Sequence, residues 1–251
     1  MTKNAGSRKN RAGSWRVRSF MKTLLLLLAL AALIAVGSLG LWRYFLTPGY
    51  DIPDLPEYSG QPAVDINHGI PGFTDDEIWD GPPSEAPYEQ LSELDALGRC
   101  GRAVACVGPE TMPTWEREES TGMAKPTGWH YSKYDFIDNG GYLYNRCHLI
   151  GWQLTGNLND FRLLVTGTRY MNVEGMLPYE NRVASYVRRT GNHVMYRVTP
   201  VFSGRDMLAR GVQMEAYSIE DDGEGLSFNV FCYNVQPGVI IDYDTGDNWE
   251  E

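Results

Sequence analysis

No aspartate or glutamate occurs in the first 50 residues; all 32 acids follow. Residues 23–42, TLLLLLALAALIAVGSLGLW, carry no charge of either sign. From residue 44 onward cations are scarce, 14 Lys and Arg against those 32 acids, which leaves a net charge near −18. A balance of that sign argues against a protein that coats phosphate backbones passively through bulk positive charge. It suits solubility, cation binding or a basic partner. Cysteine is limited to Cys100, Cys106, Cys147 and Cys232. In a disulfide-permitting compartment these allow three pairings, a tight Cys100–Cys106 loop among them. A structural zinc site is poorly supported, because five residues separate Cys100 from Cys106 where two to four are usual. Cys147 and His148 are adjacent, so in an extended strand they point to opposite faces, a poor geometry for a Cys-His nucleophile. Histidine is equally scarce, at positions 68, 130, 148 and 193, and no internal repeat occurs.

The N-terminal 22 residues are basic, with Lys3, Arg8, Lys9, Arg11, Arg16, Arg18 and Lys22. The uncharged run after them is 20 residues long. At roughly 1.5 Å per residue it spans a bilayer core, and it exceeds the roughly 7–15 residues of a signal peptide's apolar region. A single transmembrane anchor is expected, with the basic end cytoplasmic and the rest of the chain extracellular. Trp42 and Tyr44 suit the aromatic belt at the outer interface. Prolines 48, 53, 56, 62, 71, 82, 83 and 87 then oppose regular helix. The expected organisation is a cytoplasmic tail (1–22), a membrane anchor (23–42), a proline-rich spacer (43–87) and a folded domain (88–251). Within the spacer Ile70, Phe73 and Trp79 are apolar enough to dock on the domain.

In that domain QLSELDALG reads as a short helix or turn stopped by Gly98, and RAVACVG reads as a strand. GGYLYNRCHLIG follows the turn signal DNGG and reads as a strand entering a loop or helix. GMLPYENRVASYVRRTG is the clearest helix. Pro178 suits its first turn, Tyr179, Val183, Tyr186 and Val187 make one apolar face, Arg188 and Arg189 sit in the last turn, and Gly191 stops it. NHVMYRVTPVF is a strand, and GVQMEAYSI and LSFNVFCYNV flank EDDGEG as a hairpin. A strand, a helix and then a run of strands predict an α+β domain with a mainly antiparallel sheet.

Tyr144 to Leu154, YNRCHLIGWQL, sets a carboxamide, a cation, a thiol and an imidazole side by side. A strand edge with a satisfied histidine is one reading, and a base with its helpers is the other. An imidazole titrates near neutrality, so it takes a proton from water at working pH.

NRCH, GTRYMNVEGMLPYENRV, YRVTPVF and FNVFCYNVQPGVIIDYDTGD, in that order, resemble the bacterial DNA/RNA non-specific endonucleases of the ββα-metal type. The resemblance covers most of residues 88–249. It implies a ββα-metal nuclease fold and metal-dependent hydrolysis of DNA, with RNA as a second substrate, little sequence preference and 5′-phosphate products. Asn145-Arg146-Cys147-His148 stands where the family has Asp-Arg-Gly-His. His148 is then the general base, expected to be exposed in its site; Arg146 either positions the phosphate or pairs with an acid. Asn172 and Glu180 reproduce the family's eight-residue spacing between a direct metal ligand and a glutamate that binds the metal's waters. The implied cofactor is Mg²⁺, with Mn²⁺ as a substitute; Mg²⁺ prefers oxygen donors and keeps several waters. Asn145 replaces the family's acid and still offers an acceptor oxygen. Leu163 stands where many relatives have a further asparagine. Taken without the resemblance, Asn172 is a helix cap and Glu180 a first-turn acid favoured by the helix dipole. Arg117, Lys125, Arg146, Arg169 and Arg182 supply local positive charge in or near these segments. The alternative from another class is a surface binding protein on a catalytically retired nuclease fold.

Overall fold

The computed structural model describes residues 55–75, 77–78, 88–116, 125–157 and 160–251. The expected anchor lies outside them, and among the described residues no helix is long and apolar enough to cross a membrane. The architecture is α+β. Ten strands run in chain order: β1 (Ala63–Asp65), β2 (Glu89–Leu91), β3 (Ala103–Val107), β4 (Tyr144–His148), β5 (Leu164–Thr168), β6 (Val194–Val201), β7 (Gly211–Ser218), β8 (Ser227–Tyr233), β9 (Val239–Ile241) and β10 (Asn248–Glu250). Six form one sheet in the order β1-β8-β7-β6-β3-β2, with every neighbouring pair antiparallel. β4 pairs with β5, and β9 with β10, as separate two-stranded ribbons.

Strand alternation divides the sheet into two faces. In β3, Ala103, Ala105 and Val107 enter the main core, while Val104 and Cys106 turn to the other side. Cys100 belongs to the main core as well, so the pair considered for a loop disulfide is split between the two faces. All four cysteines are free and buried. Burial alone is the largest influence on Cys106, whose thiol is pushed up to about 12.

Helix α2 (Leu177–Thr190) lies on the main-core side, where Val183, Ala184, Tyr186 and Val187 are buried with sheet residues Tyr196, Val212, Met214, Phe228 and Val230. Each fully buried valine there contributes about 1.5–3 kcal/mol. Pro178 opens the helix, and Gly191, with φ of 76°, ends it by returning its N–H to the Val187 carbonyl.

The other face is covered from the N-terminal side. Within the stretch read as a spacer, β1 pairs with β8, and Ile78 packs with Val104, Cys106, Met195 and Ile219. Phe73 packs there as expected of an apolar docking residue, whereas Ile70 is exposed and Trp79 lies outside the described residues. The sheet therefore begins upstream of residue 88. QLSELDALG supplies the end of β2 and then a turn at residues 95–98, closed by Gly98 N–H to the Asp95 carbonyl.

Candidate active site

The β4–β5 ribbon, a one-turn helix α1 (Trp152–Thr155) and the start of α2 surround an open cleft of about 510 Å³. Asn145, Arg146, His148, Asn172 and Glu180 all line it. These residues were picked from the sequence, and the fold brings them together. Arg169, Trp129, Tyr131, Tyr142 and Trp152 share the lining.

Asn145, Arg146 and His148 lie on β4, whose register sets Asn145 opposite Gly167 and His148 opposite Leu164. Gly167 is there for space: a Cβ would stand 2.4 Å from Met171 Cε and 2.5 Å from Cys147 Sγ. Cys147 is fully buried behind the ribbon, and burial, followed by the Glu180 carboxylate, pushes its thiol well above the ordinary value. It is core, not a nucleophile. His148 is only 8% exposed. The expectation of an exposed histidine is thereby corrected, because the ring is walled in where the strand dives into the core.

After β5 the chain does not enter an ordinary helix. Met171–Met176 form a π-helical turn, in which the Leu177 N–H bonds to the Asn172 carbonyl five residues back. Residues eight apart lie past the seven-residue repeat that stacks side chains on one α-helical face. The wider turn takes up the extra residue, so Asn172 and Glu180 both reach the cleft. The turn is anchored below. Thr168 Oγ1 accepts from the Met171 N–H at 3.0 Å and donates to the Val235 carbonyl at 2.6 Å. The fully buried Asn234 accepts from the Thr168 N–H and donates to the Thr166 and Ala209 carbonyls. Asn234 was not singled out from the sequence; a carboxamide directly after the apolar run VFCY was the available signal.

Asn172 does not cap the helix. Its Nδ2 donates to Asn145 Oδ1 at 3.3 Å, which leaves the Asn172 Oδ1 as the acceptor for a cation. Glu180 occupies the first turn of α2, and its carboxylate presses on Gly151, where an added Cβ would meet Oε2 at 2.7 Å. The donors are hard oxygens from Asn172, Glu180 and Asn145, and among the described residues no three His, Cys, Asp or Glu converge on one point. This set fits a hydrated cation held by few protein groups and does not fit a closed zinc cage.

Two cations, Arg146 and Arg169, share the lining with Glu180. Arg146 lies 4.3 Å over the Trp129 ring, and Arg169 pairs with the exposed Asp138 at 3.0 Å. Lys125 reaches the rim at Tyr131. Arg182 packs over Phe228 and Tyr179 instead, and Arg117 lies outside the described residues. Leu163 is fully buried in the main core and does not line the cleft, so its apolar character serves packing.

The other three histidines lie outside the cleft. His130 Nε2 contacts the Thr245 carbonyl, and His68 lines a cavity on the far side of the sheet. His193 sits between Glu220 at 2.5 Å and Glu110 at 2.8 Å. Burial opposes its charge, but the two carboxylates prevail and hold the ring above the usual histidine value.

The fold and cleft define a nuclease. A sequence model of the DNA/RNA non-specific endonuclease family matches residues 84–220, more than half of the chain, and the chain belongs to that family. It is accordingly a hydrolase that acts on nucleic acid with a divalent metal. The structure resembles NucA from Streptococcus agalactiae with a magnesium ion bound, at a TM-score of 0.67 and 25% identity over 80% of this chain and 93% of that one. It also resembles Sda1 nuclease with a bound zinc ion, at 0.57 and 27% identity over 65% of this chain and 81% of that one. A structure described as an extracellular endonuclease shares the fold at 0.54 and 20% identity.

Proposed function

We propose that the protein is a membrane-anchored, outward-facing endonuclease that hydrolyses phosphodiester bonds in DNA, and in RNA as a second substrate, with Mg²⁺ as its metal. The observation that carries this reading is the meeting of His148, Arg146, Asn172 and Glu180 in one cleft, with Asn172 tied to Asn145. Asn172 Oδ1 would hold the metal directly, and Asn145 and Glu180 would accept hydrogen bonds from its waters. When bound, the metal stabilises negative charge on the phosphate and supplies an acidic water near the leaving oxygen. His148 takes the proton from the attacking water. Arg146 pairs with a non-bridging phosphate oxygen, its guanidinium packed 4.3 Å over the Trp129 ring. The buried ribbon keeps these groups from drifting, which is what a proton transfer over hydrogen-bond distance demands.

The first test is direct. Full-length protein in detergent should convert supercoiled plasmid to open circles and then fragments with Mg²⁺ and leave it intact with EDTA. Absence of cleavage with any divalent ion would overturn the enzyme reading. The anchoring part rests on the basic block and the uncharged 23–42 run. Protease added to intact cells should release a soluble fragment of roughly 200 residues, the length beyond the span. A fragment protected until the membrane is broken would reverse the topology.

A further inference from the structure

The rim of the cleft carries aromatic rings that phosphodiester hydrolysis does not itself require. Tyr131 lines the cleft and is 69% exposed. It ends a chain of alternating cations and rings. Arg146 lies 4.3 Å over Trp129; Trp129 meets Tyr131 edge to face at 5.9 Å; Lys125 stands 5.4 Å from the Tyr131 centroid. Tyr142 repeats the pattern on the same rim, 46% exposed, with Lys133 at 4.0 Å from its centroid. The segment between the two tyrosines is a closed loop. Lys133 and Tyr142 form an antiparallel bridge, the Leu143 N–H donates to the Ser132 carbonyl, and the Tyr134 N–H donates to the Gly141 carbonyl. Tyr142 is thus held by backbone pairing at its base, Tyr131 precedes the paired residues Ser132 to Tyr134, and much of each ring faces water.

Single exposed aromatics are ordinary. Two on the rim of one cleft, each with a lysine, and one joined through Trp129 to Arg146, are a different matter. A lysine beside a ring supplies a partner for phosphate, and the ring supplies a partner for a base: the composition of a single-strand track. A duplex offers its phosphates outward but keeps its bases stacked inside, so it reaches the cations and not the ring faces. We propose that Tyr131, seconded by Tyr142, is a stacking face for an unpaired nucleobase next to the phosphate in the cleft, and that single-stranded nucleic acid is the preferred substrate class. This rests on the reading of the cleft as the active site. It goes further by assigning recognition to residues outside the hydrolytic set.

The test separates the two readings. A single-stranded oligonucleotide carrying one 2-aminopurine is titrated with full-length protein in EDTA, which keeps the strand whole. Quenching of the probe is expected on binding, and Tyr131→Ala should raise Kd about tenfold, as loss of one stacked base does. Tyr131→Phe should keep both the quenching and the affinity, since the ring remains. A strand of the same length with abasic sites should bind the wild type about tenfold more weakly than the intact strand. With Mg²⁺, Tyr131→Ala should raise KM on single strands much more than on duplex and leave kcat nearly constant. Equal binding of intact and abasic strands, or an equal loss on single strand and duplex, overturns the stacking face. Quenching that depends on Tyr131 in a protein that cuts nothing would support the face and defeat the hydrolytic reading alone.

Discussion

The cleft beside α2 and the cavity on the far side of the six-stranded sheet draw on the same residue types. The cleft holds Asn145, Arg146, His148, Asn172 and Glu180; the far cavity holds His68, Arg197, Glu215, Glu77 and Asn229. The far cavity is the larger, at about 1190 Å³ against about 510 Å³. Size and composition alone would therefore favour the far cavity. The difference lies in what the charges face. Arg197 gives two hydrogen bonds to Glu215, at 2.7 and 3.0 Å, and a third to Glu77 at 2.9 Å. Asn229 accepts from Gln213 and donates to the Ile70 carbonyl. That network fastens Ile70, Gly72 and Glu77 to the sheet. In the cleft, two arginines accompany one carboxylate, and the Asn172–Asn145 bond leaves the Asn172 oxygen as an acceptor. Cations beside convergent carboxamide and carboxylate oxygens suit a phosphate and a cation, whereas a closed ion network suits an anchorage.

The sharpest break of the comparison is His148→Ala. Removing a general base costs about 10²–10⁴ in rate, and plasmid cleavage should fall by that factor. Because the ring is largely buried, thermal unfolding is followed in parallel: a large loss of rate in a protein that still unfolds cooperatively separates chemistry from packing. Activity near wild type would remove His148 from the mechanism.

Arg197→Met attacks the other side. Glu215 is 3% exposed, so the substitution strands a buried carboxylate, and breaking such a pair costs about 3–5 kcal/mol. Urea unfolding should show a loss of that size, while the cleavage rate per folded molecule stays near wild type. Replacing both partners, as Arg197→Met with Glu215→Leu, should recover much of the stability because no charge is left unpaired. A changed Mg²⁺ requirement in Arg197→Met would mean that the two cavities are coupled through the sheet.

The contrast also shows what a sequence displays and what it hides. Helix α2 was legible from its apolar face, its proline and its terminal glycine, and the β7–β8 hairpin from its turn, because these are local signals. The candidate site residues were picked through the order of family segments, which carries the spacing of Asn172 and Glu180, and the fold sets them in one cleft. The π turn that makes the spacing work was hidden, since nothing in MNVEGM distinguishes it from an α-helical turn. β1 was hidden among prolines, because a three-residue edge strand is made by its partner β8 and hardly by its own residues. The far-face network was hidden too, as Glu77, Arg197 and Glu215 are distant in sequence and meet only through sheet register.

Smaller effects grade the metal site. Glu180→Ala should raise the Mg²⁺ concentration for half-maximal cleavage by about tenfold, the lower range for a group that holds a metal's water, and excess Mg²⁺ should restore much of the rate. Asn172→Ala should lose more and recover less, since a direct donor is gone. Titrations of cleavage against Mg²⁺ compare them, and an unchanged curve for Asn172→Ala would remove it as a ligand.

The smallest expected change is at Asn145, and it decides whether the departure from the family's acid disables the site or adjusts it. Asn145 Oδ1 accepts from Asn172 Nδ2, so it holds the amide in the orientation that turns Oδ1 toward the cleft. Asn145→Asp keeps that acceptor and strengthens the bond, because an ionised oxygen accepts better than a carboxamide. It also adds a negative charge beside the cation, which tightens the metal's hydration shell, and beside the phosphate, which it repels. The two effects differ in reach. Attraction to the metal acts at close range and is little screened, whereas repulsion of an approaching strand adds to that of a domain near −18 and responds to salt. Asn145→Asp should therefore lower the Mg²⁺ concentration for half-maximal cleavage a few-fold and make inhibition by salt shallower, because salt screens the added repulsion. Wild type should be active and need more Mg²⁺ than the variant. An inert wild type at every Mg²⁺ and Mn²⁺ concentration, beside an Asn145→Asp variant that cuts DNA, would show that asparagine had silenced the site.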